Sequence, residues 1–237
     1  MYSLYLAFGV AAAVILLPAL FDSNLLMWST LPGILLGVFV FVWVNRRVAK
    51  RVEAVVGAAD REMLVAQQAA RNAQQNPNHA KIVMGQAIEK AVALLKRGFV
   101  LKNWQIGIGT MLNARVGMLL YMRWIVLEQK SSLNDAIPYL EASRVTGRKS
   151  KLLHALWPAW AMLAVAYYKG RNDLDRAVDV LEGATVAAPK EGLLWSMYGW
   201  ILWQEKRADQ AVDVLARGRQ RAPDDKRLAE NLTLLQN

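Results

Sequence analysis

The chain has 237 residues, 29 Lys and Arg against 19 Asp and Glu, a formal charge of +10, and 55% hydrophobic residues, above the roughly 45 to 50% of soluble chains. It has no cysteine, which excludes disulfides, thiolate catalysis and cysteine-ligated metals and is compatible with a reducing compartment. Charge is unevenly spread: no Lys or Arg precedes Arg46, and Asp22 is the single acidic residue before it.

Residues 2–21 and 25–44 are two apolar stretches of about 20 residues, each long enough as a helix to cross a hydrocarbon core of about 30 Å. Only Asp22, Ser23 and Asn24 lie between them, so if both span they form an antiparallel hairpin over residues 1–45. A cleaved signal peptide competes for the first stretch, but a basic n-region is missing and a second apolar stretch comes directly after it. Arg46, Arg47, Lys50 and Arg51 crowd the end of the second stretch while the connecting turn carries no base. The positive-inside rule then puts that end, the N-terminus and everything after residue 45 in the cytoplasm. The four bases can meet anionic headgroups or act as a plain stop-transfer signal. Gly33 and Gly37 form G-x-x-x-G behind Pro32, which permits close helix approach in lipid. The favoured use is packing against Ala7, Ala11 and Ala12, and the other is association between copies. With no ionisable group inside either stretch, the hairpin alone offers no ion pathway.

Residues 46–103 form an arm. Val48, Val52, Val55, Val56, Ala59 and Met63 recur at helical spacing until Asn76, Pro77 and Asn78 break the run. A second helix runs to about Arg97 with Ile82, Ile88, Ala91, Val92 and Leu95 on one face and Gly98 as its stop. The two helices read either as a degenerate first repeat or as a stalk lying against residues 104–237.

Within residues 104–237 the segment Ala177, Val178, Asp179, Val180, Leu181 recurs letter for letter as Ala211, Val212, Asp213, Val214, Leu215, displaced by 34 residues, with Pro189 and Pro223 at the same displacement. That period marks stacked helix-turn-helix units, which leave a concave protein-binding surface rather than a catalytic pocket. Trp195, Tyr198, Gly199 and Leu202, then Ala211, Leu215, Gly218 and Pro223, make this stretch resemble the tetratricopeptide repeat family. The preceding copy, 158–189, offers Ala161, Ala164, Val165 and Tyr168, then Ala177, Leu181, Ala184 and Pro189. A third is suggested by Leu133, Ala136, Leu140 and Glu141 at an offset of 41, the extra residues lengthening the next first helix to 151–169. Another first helix is expected over 110–129 and a cap helix over 226–235. The expected fold is therefore all-α: a two-helix transmembrane hairpin, a helical arm and a tetratricopeptide-like solenoid. Two spans ahead of such repeats also resemble the plan of bacterial inner-membrane proteins associated with haem biosynthesis, which implies a bacterial inner-membrane setting and nothing about haem.

The family resemblance implies a concave wall built from first-helix residues between those that pack: Leu193, Ser196, Met197, Trp200 and Trp203 in the last copy, and Ala159, Met162, Leu163, Ala166 and Lys169 before it. Met162, Leu163, Met197, Trp200 and Trp203 are the candidate partner groove, suited to an amphipathic helix or extended apolar peptide. The Lys and Asn of carboxylate-clamping members are replaced here by Met, Ala, Ser and Trp, so that activity is not implied. Internal packing beneath the cap helix, or filling of the groove by residues 46–97, competes with an external ligand. Trp157 and Trp160 are candidates for a membrane-interface or subunit contact.

No catalytic, cofactor or metal residues are assigned. His79 and His154 lie in different segments without acidic neighbours at ligand spacing, and the run Gly107, Ile108, Gly109, Thr110 lacks the lysine of a phosphate loop. Asp173, Asp175, Asp179, Asp224 and Asp225 fall where carboxylates cap helices. Basic clusters at Arg144, Arg148, Lys149 and Lys151, and at Arg217, Arg219 and Arg221, fit topology and repeat packing better than nucleic acid. The expected role is a non-enzymatic scaffold or assembly factor in a membrane complex. The rival is a self-assembling homo-oligomeric ring or shell.

Overall fold

The computed structural model describes residues 1–19, 25–73, 76–144 and 156–236. Among them there are helices and no strands. They fall into two compact units, Met1–Leu112 and Asn113–Asn237.

In the first unit α1 (Tyr2–Ala19) lies against α2 (Leu25–Asn72). The contact follows from small residues: a methyl on Gly37 would stand 2.9 Å from Ala11 Cβ and 3.2 Å from the Ala7 carbonyl, and one on Gly33 would meet Ile15 and the Ala11 carbonyl. Helix α2 runs through Pro32 and past Asn45 without a break, so the second apolar stretch and the first arm helix are one element of 48 residues, about 72 Å long at about 1.5 Å per residue. It is the one described helix long and apolar enough to cross a membrane, while α1 is a shorter apolar helix. Large side chains cover the outer faces of both, with Phe8, Leu31 and Phe39 about two-thirds exposed.

Asn76 caps α3 (Pro77–Arg97) by accepting a hydrogen bond from the His79 N–H, with Pro77 in the first turn where no backbone donor is needed. Ile88, Ala91, Val92 and Leu95 face the lower half of α2, where Ala59, Met63 and Ala66 are buried. Ile82 does not join them: it lies off that helical row and is 55% exposed. A tight 3-10 turn, Gly98–Leu101, comes next, with Gly98 packed on Val55 and Leu112. Gly107 at φ 91° makes the bend into α4 (Ile108–Leu127), a backbone conformation only glycine adopts freely.

The second unit begins inside α4 and continues with α5 (Ser131–Ser143), α6 (Trp157–Val165), α7 (Leu174–Ala187), α8 (Gly192–Gln204), α9 (Ala208–Arg221) and α10 (Lys226–Gln236). Helix α6 is prolonged by a wider π turn, Ala166–Arg171. Pairs α6–α7 and α8–α9 are antiparallel hairpins, and α7 packs on α8 as α5 packs on α6. The link from α4 to α5, from α6 to α7 and from α8 to α9 each holds one left-handed non-glycine residue, Glu128, Asn172 and Lys206. This shared geometry ends one helix and redirects the chain into its partner. The expected extension of α6 back to Lys151 lies outside the described residues, as do His154, Arg148 and Lys149.

Candidate functional site: an aromatic wall on the repeat hairpins

The wall is positioned by what packs behind it. In α8, Leu194, Trp195, Tyr198, Ile201 and Leu202 are buried, and Gly199 and Gly218 allow close crossing: methyls there would stand 2.7 Å from Leu215 Cγ and 2.6 Å from Trp195 Cβ. The Trp195 indole donates to the Pro189 carbonyl at 2.9 Å, tying α8 to the turn before it. The buried row leaves Met197 half-buried and Leu193, Trp200 and Trp203 about 40% exposed on one side of α8.

Helix α6 is not in the register that a 34-residue displacement implies. Its buried row is Trp160, Leu163, Ala164 and Tyr167, at 7%, 0%, 0% and 1% exposure. These residues match Trp195, Tyr198, Gly199 and Leu202 at a displacement of 35, and restore the spacing W-x-x-L-small-x-x-Y. The extra residue is absorbed by the π turn. The Asp173 N–H closes that turn on the Tyr167 carbonyl, six residues back, whereas the Arg207 N–H closes α8 on Leu202, five back. The expected packing set Ala161, Ala164, Val165 and Tyr168 is therefore one residue out at each of its four positions, although Ala161 and Ala164 are still buried.

The wall changes accordingly. Leu163 is fully buried in the core and is not a groove residue, and Ala159 and Ala166 are buried with it. Met162 stays on the wall as the counterpart of Met197, joined by half-buried Val165 and Tyr168, the counterparts of Trp200 and Trp203. Trp160 is likewise core, which removes it from any interface role.

Tyr168 and Trp200 meet edge to face with centroids 6.0 Å apart. Lys169 Nζ stands 4.7 Å from the Tyr168 centroid and 5.4 Å from that of Trp200, a cation shared by two rings. The Tyr168 hydroxyl donates to Glu205 Oε1 at 2.9 Å, and partial burial, then this carboxylate, push the phenol pKa up. The hydroxyl thus remains a donor at neutral pH. Ser196 Oγ, on the same helix as Trp200, is buried with no hydrogen-bond partner among the described residues.

A family model described as tetratricopeptide repeat matches residues 168–235. The matched residues run from the π turn through α7, α8 and α9 into α10. Among solved structures the chain is similar to "MamA RS-1 ArsTM double mutant", at 18% identity and a TM-score of 0.43, over 76% of this chain and 92% of that one. It is similar also to MamA, residues 41 to the end, from Desulfovibrio magneticus RS-1, at 17% identity and a TM-score of 0.43, over 77% and 97%. No curated protein matches the sequence.

The other expected site residues lie in the first unit. Arg46, Arg47, Lys50 and Arg51 are exposed on α2, with the Arg47 guanidinium 5.1 Å from the Trp43 ring centroid. Gly33 and Gly37 face α1. Val165, Tyr168 and Glu205 are wall residues that the 34-residue displacement does not pick out. The signal that finds the first two is the pattern Trp160, Leu163, Ala164, Tyr167 itself.

Proposed function

We propose that this chain is a non-catalytic scaffold or assembly factor, its tetratricopeptide array docking an apolar segment of a protein partner while α1 and the upper half of α2 hold it in the bacterial inner membrane. The observation that carries the docking reading is the wall formed by Met162, Val165, Tyr168, Met197, Trp200 and Trp203. Aromatic rings half open to solvent offer large rigid contact area, and methionines adapt to the occupant. Lys169 and Glu205 at its edge supply one charge of each sign for orientation.

Support for the membrane part comes from α1 and α2. Their outward faces carry large apolar side chains, and basic residues begin at Arg46. In this reading the chain crosses twice, with Arg46, Arg47, Lys50 and Arg51 at the cytoplasmic headgroups and Gly33 and Gly37 packing the two spans. Confinement to the bilayer raises the local concentration of a partner already there, so modest wall affinity suffices.

The test is copurification from mildly solubilised membranes. Trp200→Ala combined with Trp203→Ala is expected to release the partner while circular dichroism stays helical; a partner retained by this variant overturns the wall. Subunits of a membrane complex among the released proteins are the expected result. A preparation containing only this chain, as a discrete large oligomer, would instead favour a self-assembled ring or shell.

A further inference from the structure

We propose that the segment from Gly98 to Gly107 is a second membrane contact: a loop that presses Val100 and Ile106 into the cytoplasmic headgroup region beside the hairpin, making the first unit clasp one leaflet. The inference rests on the membrane-spanning reading of α1 and α2.

The loop is tied to the ends of both apolar helices. The Tyr2 N–H donates to the Asn103 carbonyl at 3.0 Å, and the Met1 amino group donates to the same oxygen. Ser3 Oγ, itself buried, donates to the Trp104 carbonyl at 2.8 Å, and the Tyr2 and Trp104 rings meet edge to face at 5.8 Å. On the other helix Gln105 Nε2 donates to the backbone and side-chain oxygens of Asn45 at 2.9 and 2.8 Å. Tyr2 opens α1, and Asn45 is the last residue of α2 before the basic run. The end of the loop, residues 103–105, is thereby held at the level where hydrocarbon gives way to headgroups.

The loop exposes apolar side chains rather than hiding them. Val100 is 81% exposed and Ile106 83%, while Gly98 roots the loop against Val55 and Leu112. Backbone bonds that hold two aliphatic side chains out into water gain nothing for the fold, whereas the same side chains in lipid are removed from water. The bilayer is favoured over a protein occupant by its surroundings. Tyr2, Trp43 and Trp104 are ring types that settle at the interface, and exposed Arg46, Arg47, Lys50 and Lys102 suit anionic headgroups.

Because the chain has no cysteine, single labels test this directly. Val100→Cys, Ile106→Cys, Phe39→Cys and Asn78→Cys are each tagged with an environment-sensitive fluorophore in the full chain, reconstituted into phosphatidylethanolamine and phosphatidylglycerol vesicles. All four native side chains are exposed, so the fold is not at risk. The labels at 100 and 106 are expected to be blue-shifted, quenched by nitroxide near the headgroup and shielded several-fold from iodide relative to position 78. Position 78 lies beyond the far end of α2, about 40 Å along the helix from Asn45. The label at 39 should respond to nitroxide near the chain ends. If 39 is lipid-embedded while 100 or 106 is as open to iodide as 78, the loop inference falls and the hairpin stands. If 39 is open to iodide, both fall.

Discussion

A methyl on Gly218 would stand 2.6 Å from Trp195 Cβ and 2.7 Å from its Cγ, whereas one on Gly183, at a different point of the preceding second helix, would meet only the Arg144 guanidinium at 3.7 Å. The two substitutions should therefore have opposite signs. Gly218→Ala is expected to destabilise by about 1 to 3 kcal/mol through overpacking, and Gly183→Ala to stabilise by about 0.5 to 1 kcal/mol by removing a helix-interior glycine. Denaturant titration of the full chain reads both. Asp225 supplies a pH prediction. Arg227 donates to its carboxylate at 3.0 and 2.7 Å, which holds the Asp225 pKa below its ordinary value. A depressed folded pKa contributes stability that is complete above the unfolded carboxylate value and is lost as pH falls through the folded one. Melting temperature should therefore fall in acid, and Asp225→Asn should remove that part of the fall while lowering the neutral-pH value; an unchanged acid limb would refute the assignment.

At the scale of elements, the repeat depends on three turns. Each spends a left-handed residue to close a helix, and at Lys206 the φ of 60° is carried by a side chain with no special tolerance for it. Lys206→Gly is expected to stabilise the α8–α9 hairpin by about 0.5 to 1 kcal/mol, measured by thermal and denaturant unfolding, with no gain if the turn opens differently in solution. Asn172, at φ 55°, already carries a residue type suited to the position, and the preceding π turn makes α6 one residue longer than its 34-residue copy. That extra residue is why Tyr167 rather than Tyr168 enters the core. It is also what sets Tyr168 beside Trp200. Polar and aromatic groups at the wall thus depend on a backbone irregularity, as π turns at functional positions often do.

For the whole molecule, α2 joins the apolar stretch and the arm in one continuous helix, Leu25–Asn72. Under the proposed membrane reading, washing vesicles with alkaline carbonate should leave the intact chain in the lipid pellet, and an extracted, soluble chain would overturn it. The strength of the expectation lies in the large side chains on α1 and α2 left without cover, among them Tyr5, Phe8, Leu31 and Phe39, all at least 65% exposed.

The apolar block before Arg46, the helical periods, the proline stops and the verbatim recurrence at Ala177 and Ala211 were decided by the amino-acid sequence alone, since each is a local pattern of residue types. The last hairpin was legible because its small and large residues stand in unbroken register. Only tertiary structure decided that Leu163 is core, that Trp160 takes the place of Trp195, and that Ile82 faces water. The physical reason is that burial depends on the angular position of a residue around its helix. One residue added in a π turn rotates everything upstream of it by about 100° at 3.6 residues per turn, a change that the 34-residue recurrence conceals.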